Sequence, residues 1–125
     1  MIYGIGTDIV EVDRIAAKIQ KGKGFRDLVF TGKEIAYCEQ QVHPAQHYAA
    51  RFAAKEAFLK AIGTGFGHGD VHFNEIEVVN SETGKPSLQL TEHAADSYKQ
   101  IQIKQIHVSL SHVKATAVAM VLIEV

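Results

Sequence analysis

One segment, RFAAKEAFLKAIGTG at residues 51–65, constrains what this chain can fold into more than any other. At about 100° per residue, Phe52, Glu56, Leu59 and Lys60 fall on adjoining parts of a helix, while Ala54, Ala57 and Ala61 make a side of small residues. Phe58 and Ile62 fill much of the remainder. A helix apolar on nearly every side has to be enclosed, and its alanine side lets another element approach closely. Pro44 suits the first turn and Gly63 the end, so the pattern predicts a long central helix between them. Glu56 is the anomaly. A buried carboxylate is strongly destabilising unless paired or coordinated. The alternative is a solvent-reaching Glu56–Lys60 pair at i,i+4 spacing, worth only ~0.2–0.5 kcal/mol.

The opening MIYGIGTDIVEV reads as a strand. Ile2, Gly4, Gly6, Asp8, Val10 and Val12 share one parity, and Tyr3, Ile5, Thr7 and Ile9 the other. Both sets are largely apolar, which predicts cover on both faces. Asp8 interrupts the first set, after two glycines that permit close approach by backbone or ligand. A blander account has it capping a turn at the strand's end.

Farther along, Asp13 can cap a short helix that starts at Arg14 and ends in KGKG. Thr31 with Glu34 has capping-box form and opens a second helix. A strand is expected from Val71 to Val79, then the turn NSETGKP, a short returning strand from Ser87 to Leu90, and a Thr91-capped helix to about Lys99. Strands from Ile103 to Ser111 and from Ala115 to Val125 finish the chain, the last apolar on both parities until Glu124 and therefore central. Without repeats or a linker, residues 1–125 are expected to form one α+β domain, a mainly antiparallel sheet packed against a long central helix and shorter helices.

Bulk properties exclude several classes. Thirteen basic against fourteen acidic side chains give a formal charge of -1, and so no electrostatic case for nucleic acid. Cys38 is the only cysteine, which rules out an intrachain disulfide and a thiolate metal cluster. No stretch approaches the ~20 apolar residues of a membrane span. With no basic leader at the N-terminus, a cytoplasmic protein is expected. The histidines lack HExxH or cysteine–histidine spacing, so a zinc hydrolase is a poor reading.

The chemistry turns on Asp8 and Glu56. Two carboxylates in apolar settings on different elements repel if they meet, and a divalent cation resolves that conflict. Oxygen-only ligation suits magnesium, which keeps waters and accepts phosphate oxygens beside one or two protein carboxylates. A phosphate-bearing substrate follows more naturally than a structural ion. Lys60, one turn beyond Glu56, can reach an anion bound there. Gly63, Gly65, Gly67 and Gly69 can present N–H groups to phosphate or simply make a flexible connection; GTGFGHGD is not a P-loop. HVSLSH sets His107, Ser109 and Ser111 on one strand parity, either as catalytic groups or as hydrogen-bonded core residues. Arg14, Lys18 and Lys21, extended by Arg26, form a basic stripe that is either solvated or docks an acidic partner.

Taken in order, GIGTDIVEVDRI, FTGKE, RFAAKEAFLKAIGTG, TGKPSLQL, HVSLSH and ATAVAMVLIE resemble the holo-acyl-carrier-protein synthase family, the small phosphopantetheinyl transferases of fatty-acid biosynthesis. The match covers nearly the whole chain. The resemblance implies transfer of 4′-phosphopantetheine from coenzyme A to a serine of apo-acyl carrier protein, with magnesium as cofactor and adenosine 3′,5′-bisphosphate as by-product. It also implies an α+β fold and a homotrimer with active sites at subunit interfaces. By motif position, Asp8 and Glu56 correspond to metal ligands and Glu56 and Lys60 to catalytic residues, Lys60 facing phosphate. Arg51, Lys60, Gly63, Gly65 and His107 fall in the coenzyme A environment, and Arg14, with the stripe of Lys18, Lys21 and Arg26, in the carrier-docking helix. Two departures stand out: Val113 follows His112 where the family often has an acid, and RDLVF fits loosely before FT.

Overall fold

The computed structural model describes residues 1–63 and 70–125. It opens with β1 (Ile2–Glu11), α1 (Val12–Gln20), α2 (Lys23–Val29), α3 (Gly32–Glu39) and α4 (Pro44–Ile62). A 3₁₀ turn, Phe73–Glu75, leads into β2 (Ile76–Asn80) and β3 (Pro86–Leu90). Then come α5 (Glu92–Ser97), a second 3₁₀ turn (Lys99–Ile101), β4 (Gln105–His112) and β5 (Thr116–Glu124). Strands β1, β5 and β4 form one antiparallel sheet in that order, and β2 and β3 form a separate hairpin. The expected α+β architecture is present, with β5 central.

Helix α4 is the core. Its residues from Tyr48 to Ile62 are buried except Glu56 and Lys60. Pro44 stands in its first turn, and Gly63 ends it at φ 95°, a left-handed conformation that costs glycine little. Strand β1 lies directly on it. A Cβ on Gly4 would sit 2.0 Å from the carbonyl oxygen of Ala61, and one on Gly6 would sit 2.0 Å from that of Ala57. The alanine side predicted from spacing therefore receives a strand backbone, and no side chain fits between the two.

Several expectations need correction. Asp13 does not cap α1; the helix starts at Val12 with Glu11 before it, and Asp13 lies in the first turn, where its charge suits the dipole. KGKG does not simply end a helix: Gly22, at φ 134°, makes the break, and α2 restarts at Lys23. The 3₁₀ turn delays the strand expected from Val71 until Ile76. The last short helix stops at Ser97 rather than near Lys99. Cover over β1 extends to one face only. On the other, Ile5 is 60% and Ile9 71% exposed, beside Val118 and Met120 of β5.

The Thr31–Glu34 capping box is formed, and Glu34 does more than cap. Its Oε1 accepts from Thr31 N–H at 2.9 Å and from Lys55 Nζ at 2.7 Å, while Oε2 accepts from Val78 N–H at 2.8 Å. Lys55 is fully buried and donates also to the carbonyls of Val29 (2.9 Å) and Phe73 (3.0 Å). Every polar group of this ion pair thus has partners, the condition under which a buried pair is tolerated.

A methyl group at Gly6 has to push β1 off α4. Gly6→Ala is expected to lower stability by ~3 kcal/mol, at the upper end for overpacking because a backbone carbonyl cannot rotate away. Thermal denaturation measures it, and a melting temperature equal to wild type refutes the contact.

Candidate active site

The close approach of β1 to α4 delivers Asp8 to the helix. Asp8 shares its strand parity with Gly4 and Gly6 and pairs across the sheet with Ala119. Its Oδ1 accepts from Lys60 Nζ at 2.9 Å, and the same ammonium donates to the carbonyl of Thr7 at 3.0 Å. The Glu56–Lys60 surface pair is therefore not what holds Lys60, whose partner is Asp8. The other carboxylate oxygen, Asp8 Oδ2, is buried without a protein partner. Glu56 lies half-buried against Asp8. Its pKa is pushed up to about 7, first by burial and then by the neighbouring Asp8 charge and contact, with Arg14 and Lys60 pulling the other way.

A carboxylate oxygen with no assigned partner, against a carboxyl group that burial and the Asp8 charge keep from ionising, is a charge conflict that a cation would relieve. Among the described residues no three His, Cys, Asp or Glu side chains cluster to hold an ion; a cation here would take two carboxylates from the protein and its other oxygens from water or phosphate. The residues fit a hard divalent cation.

The other expected site residues do not all gather at this pair. Gly63 ends α4 one turn from Lys60, whereas Gly65 lies outside the described residues. Arg51 is 3% exposed and remote from solvent; its guanidinium lies 4.1 Å from the Tyr37 ring centroid and donates through Nη2 to Asn80 at the end of β2. His107 projects from the opposite face of the sheet to Asp8: the Asp8–Ala119–Leu110 row and the Ile5–Leu122–His107 row point to opposite sides. Its Nε2 lies 2.9 Å from Glu124, not beside Ser109 or Ser111, so no Ser–His nucleophile is assembled among the described residues.

A groove of ≈ 330 Å³ runs past His107, with Ser81, Lys85 and Ser87 from the hairpin and Gln105 from β4 on its walls. The turn carrying Ser81 and Lys85 is legible in NSETGKP, but its proximity to His107 is not. Arg14 and Lys18 on α1 and Lys21 at its C-cap are all exposed, and Lys18 also lies 5.3 Å from the Phe25 ring centroid. Arg26 does not extend this stripe freely, because its Nε is bound to Asp27 at 3.0 Å.

A family model for the 4′-phosphopantetheinyl transferase superfamily matches residues 4–120. The chain belongs to that superfamily. It is 48% identical to the holo-[acyl-carrier-protein] synthase of Geobacter sp. (strain M21) over 125 residues, 99% of each chain. The holo-[acyl-carrier-protein] synthase structure from Neisseria meningitidis superposes with a TM-score of 0.90 at 37% identity, covering 100% of both chains. That from Bacillus anthracis str. Ames, in complex with coenzyme A (3′,5′-ADP), gives 0.81 at 38% identity, covering 99% of this chain and 97% of that one. This phosphopantetheinyl transferase moves the 4′-phosphopantetheine group from coenzyme A to a serine of apo-acyl carrier protein.

The carboxylate pair sets a pH signature. In the absence of any bound cation, folded Glu56 holds its proton up to pH about 7, whereas the unfolded chain releases it near 4.5. Its contribution is complete below the unfolded pKa and lost as pH rises through the folded one. Metal-free transferase is expected to melt progressively lower across that window, and Glu56→Gln to flatten this part of the profile. Calorimetry in EDTA from pH 5 to 8, roughly the span between the two pKa values, decides it.

Proposed function

We propose that the transferase is magnesium-dependent and that Asp8 and Glu56 hold the ion. The half-buried Asp8–Glu56 pair, with its orphan oxygen and the Lys60 ammonium alongside, carries this reading. Bound there, magnesium supplies positive charge to the pyrophosphate of coenzyme A. Lys60 stands at the rim, its side chain half exposed, and faces the charge that develops as the bond to 3′,5′-ADP breaks. The nucleophile is the carrier's serine, so none of this chain's own serines is required. Glu56, with a proton affinity near neutrality, is placed to take the serine proton directly or through water, although ligation to a cation weakens it as a base.

The remaining roles follow from position. Gly63, Gly65 and the groove beside His107 and Lys85 are assigned to coenzyme A, with Arg51 acting through Asn80 to hold the hairpin that forms one groove wall. Arg14, Lys18 and Lys21 are assigned to the acidic carrier protein. Because Asp8 and His107 lie on opposite sheet faces, one copy of the chain does not put both against the same coenzyme A. That separation, and the exposed apolar residues on the His107 face, favour self-association with active sites at subunit interfaces, and the family resemblance makes the assembly a homotrimer. Among the described residues no helix is long and apolar enough to cross a membrane, and a cytoplasmic site of action is proposed.

Incubation with coenzyme A and apo-carrier, with and without magnesium, followed by intact mass spectrometry, tests the reaction. Asp8→Ala is expected to reduce transfer ~100-fold or more while the protein stays folded. Unmodified carrier with consumed coenzyme A indicates hydrolysis instead, and no 3′,5′-ADP at all indicates a non-enzymatic scaffold. Coexpressing Asp8→Ala with His107→Ala subunits is expected to recover part of the activity, since mixed interfaces then contain one intact site.

Arg14→Ala is expected to raise KM for apo-carrier about 3–10-fold and to leave coenzyme A binding nearly unchanged. Equal loss in both assays removes the docking role.

A further inference from the structure

The Lys55–Glu34 pair is unexplained by the site assigned above. Lys55 lies one residue before Glu56 on α4, yet on the side of the helix turned away from Asp8. It ties α4 to three separate places: the carbonyl of Val29 at the end of α2, the carbonyl of Phe73 ahead of β2, and Glu34 on α3. Glu34 passes the connection to Val78 on β2. A helix gripped by a single flexible side chain can still roll about its axis. One gripped by an ammonium bonded in three directions cannot roll without breaking buried hydrogen bonds.

Rotation of α4 is the degree of freedom on which the carboxylate pair depends. Gly4 and Gly6 require the Ala57–Ala61 side of α4 to face β1, which fixes the helix rotation coarsely, but no side chain across that contact locks its final angle. Glu56 and Lys60 meet Asp8 only if α4 is turned to the right angle. We propose that Lys55, fixed by Glu34, is a positioning residue for the transfer reaction, setting the axial rotation of α4 and thereby the approach of Glu56 and Lys60 to Asp8. This deepens the magnesium reading and rests on it. Lys55 touches neither the carboxylate pair nor anything bound to it, and it acts through the helix alone.

Lys55→Met/Glu34→Gln removes both charges together, so neither is left buried without its counter-charge, and the amide oxygen introduced on α3 can still accept from one of the two backbone N–H groups that Glu34 serves, Val78 or Thr31. Two quantities are read: Mn²⁺ affinity of the unloaded protein, by electron paramagnetic resonance, and steady-state transfer with magnesium, coenzyme A and apo-carrier. Each variant is assayed at the same interval below its own melting temperature. The double variant is expected to bind Mn²⁺ about tenfold more weakly and to lose about tenfold in kcat, as removal of outer-shell support does elsewhere, with KM for apo-carrier unchanged. Wild-type Mn²⁺ affinity and kcat under those matched conditions overturn the proposal and leave the pair a stabilising element only. If the double variant does not fold, Glu34→Gln alone is read by the same two measurements and the same outcomes. Asp8→Ala runs in parallel: retention of Mn²⁺ binding and transfer by that variant defeats the magnesium reading itself, a result distinct from failure of the Lys55 proposal.

Discussion

Everything in this transferase depends on a backbone-to-backbone contact. Gly4 and Gly6 bring β1 to the carbonyls of Ala57 and Ala61, closer than any side chain would permit. That proximity has a structural and a chemical consequence. It lets a thin three-stranded sheet and one helix bury a continuous core in a chain of 125 residues. It also carries Asp8 into a place where one oxygen has no protein donor and a second carboxyl group faces it. The charge conflict at Asp8 and Glu56 is unfavourable without the proposed cation, and the small residues on both elements keep strand and helix together in spite of it.

Helix α4 organises the molecule by giving each of its sides a different duty. Ala57 and Ala61 take the strand, Glu56 and Lys60 meet Asp8, Lys55 grips α2, α3 and the 3₁₀ turn ahead of β2, and Arg51 reaches the end of the hairpin. This explains why a helix with so little amphipathic character is nevertheless rich in charged residues. Two of its four cationic and anionic side chains in the 51–60 stretch, Arg51 and Lys55, are enclosed and hydrogen-bonded, and the other two stand at the rim where a ligand can reach them.

Much of this is legible in the sequence because it is encoded locally. Thr31 and Glu34 cap a helix by their own side-chain bonds, Pro44 and Gly63 delimit α4, and the two-sided apolarity of β5 marks a central strand. Asp8 and Glu56 each stand out as a charge in an apolar pattern. Their meeting does not, since it depends on the register of Gly4 and Gly6 against α4, over fifty positions away. Spacing alone pairs Lys60 with Glu56, whereas the fold gives it a better partner on β1. Helix α2 leaves no signature because KGFRDLV has weak intrinsic preference; Phe25 packing against Phe30 and Phe52 supports it instead. Lys55 is hidden for a related reason. In sequence it is one more lysine near a glutamate, and only the tertiary fold shows that its partner is Glu34 rather than Glu56.

The sheet's second face adds the last constraint. By strand register Ile5 neighbours Leu122, which neighbours His107, and Ile9 neighbours Val118. The apolar residues left exposed and the histidine assigned to coenzyme A therefore occupy one continuous surface, while the carboxylates occupy the other. A monomer gains nothing from that arrangement: it leaves hydrophobic area in water and divides a ligand site between two faces. In the proposed trimer both defects have the same remedy. Covering Ile5, Ile9 and Met120 removes apolar surface from water, and because His107 is fixed to that surface, the same association carries its groove toward a neighbour's carboxylate pair. Assembly and completion of the site are then one event, driven chiefly by side chains that take no part in the chemistry.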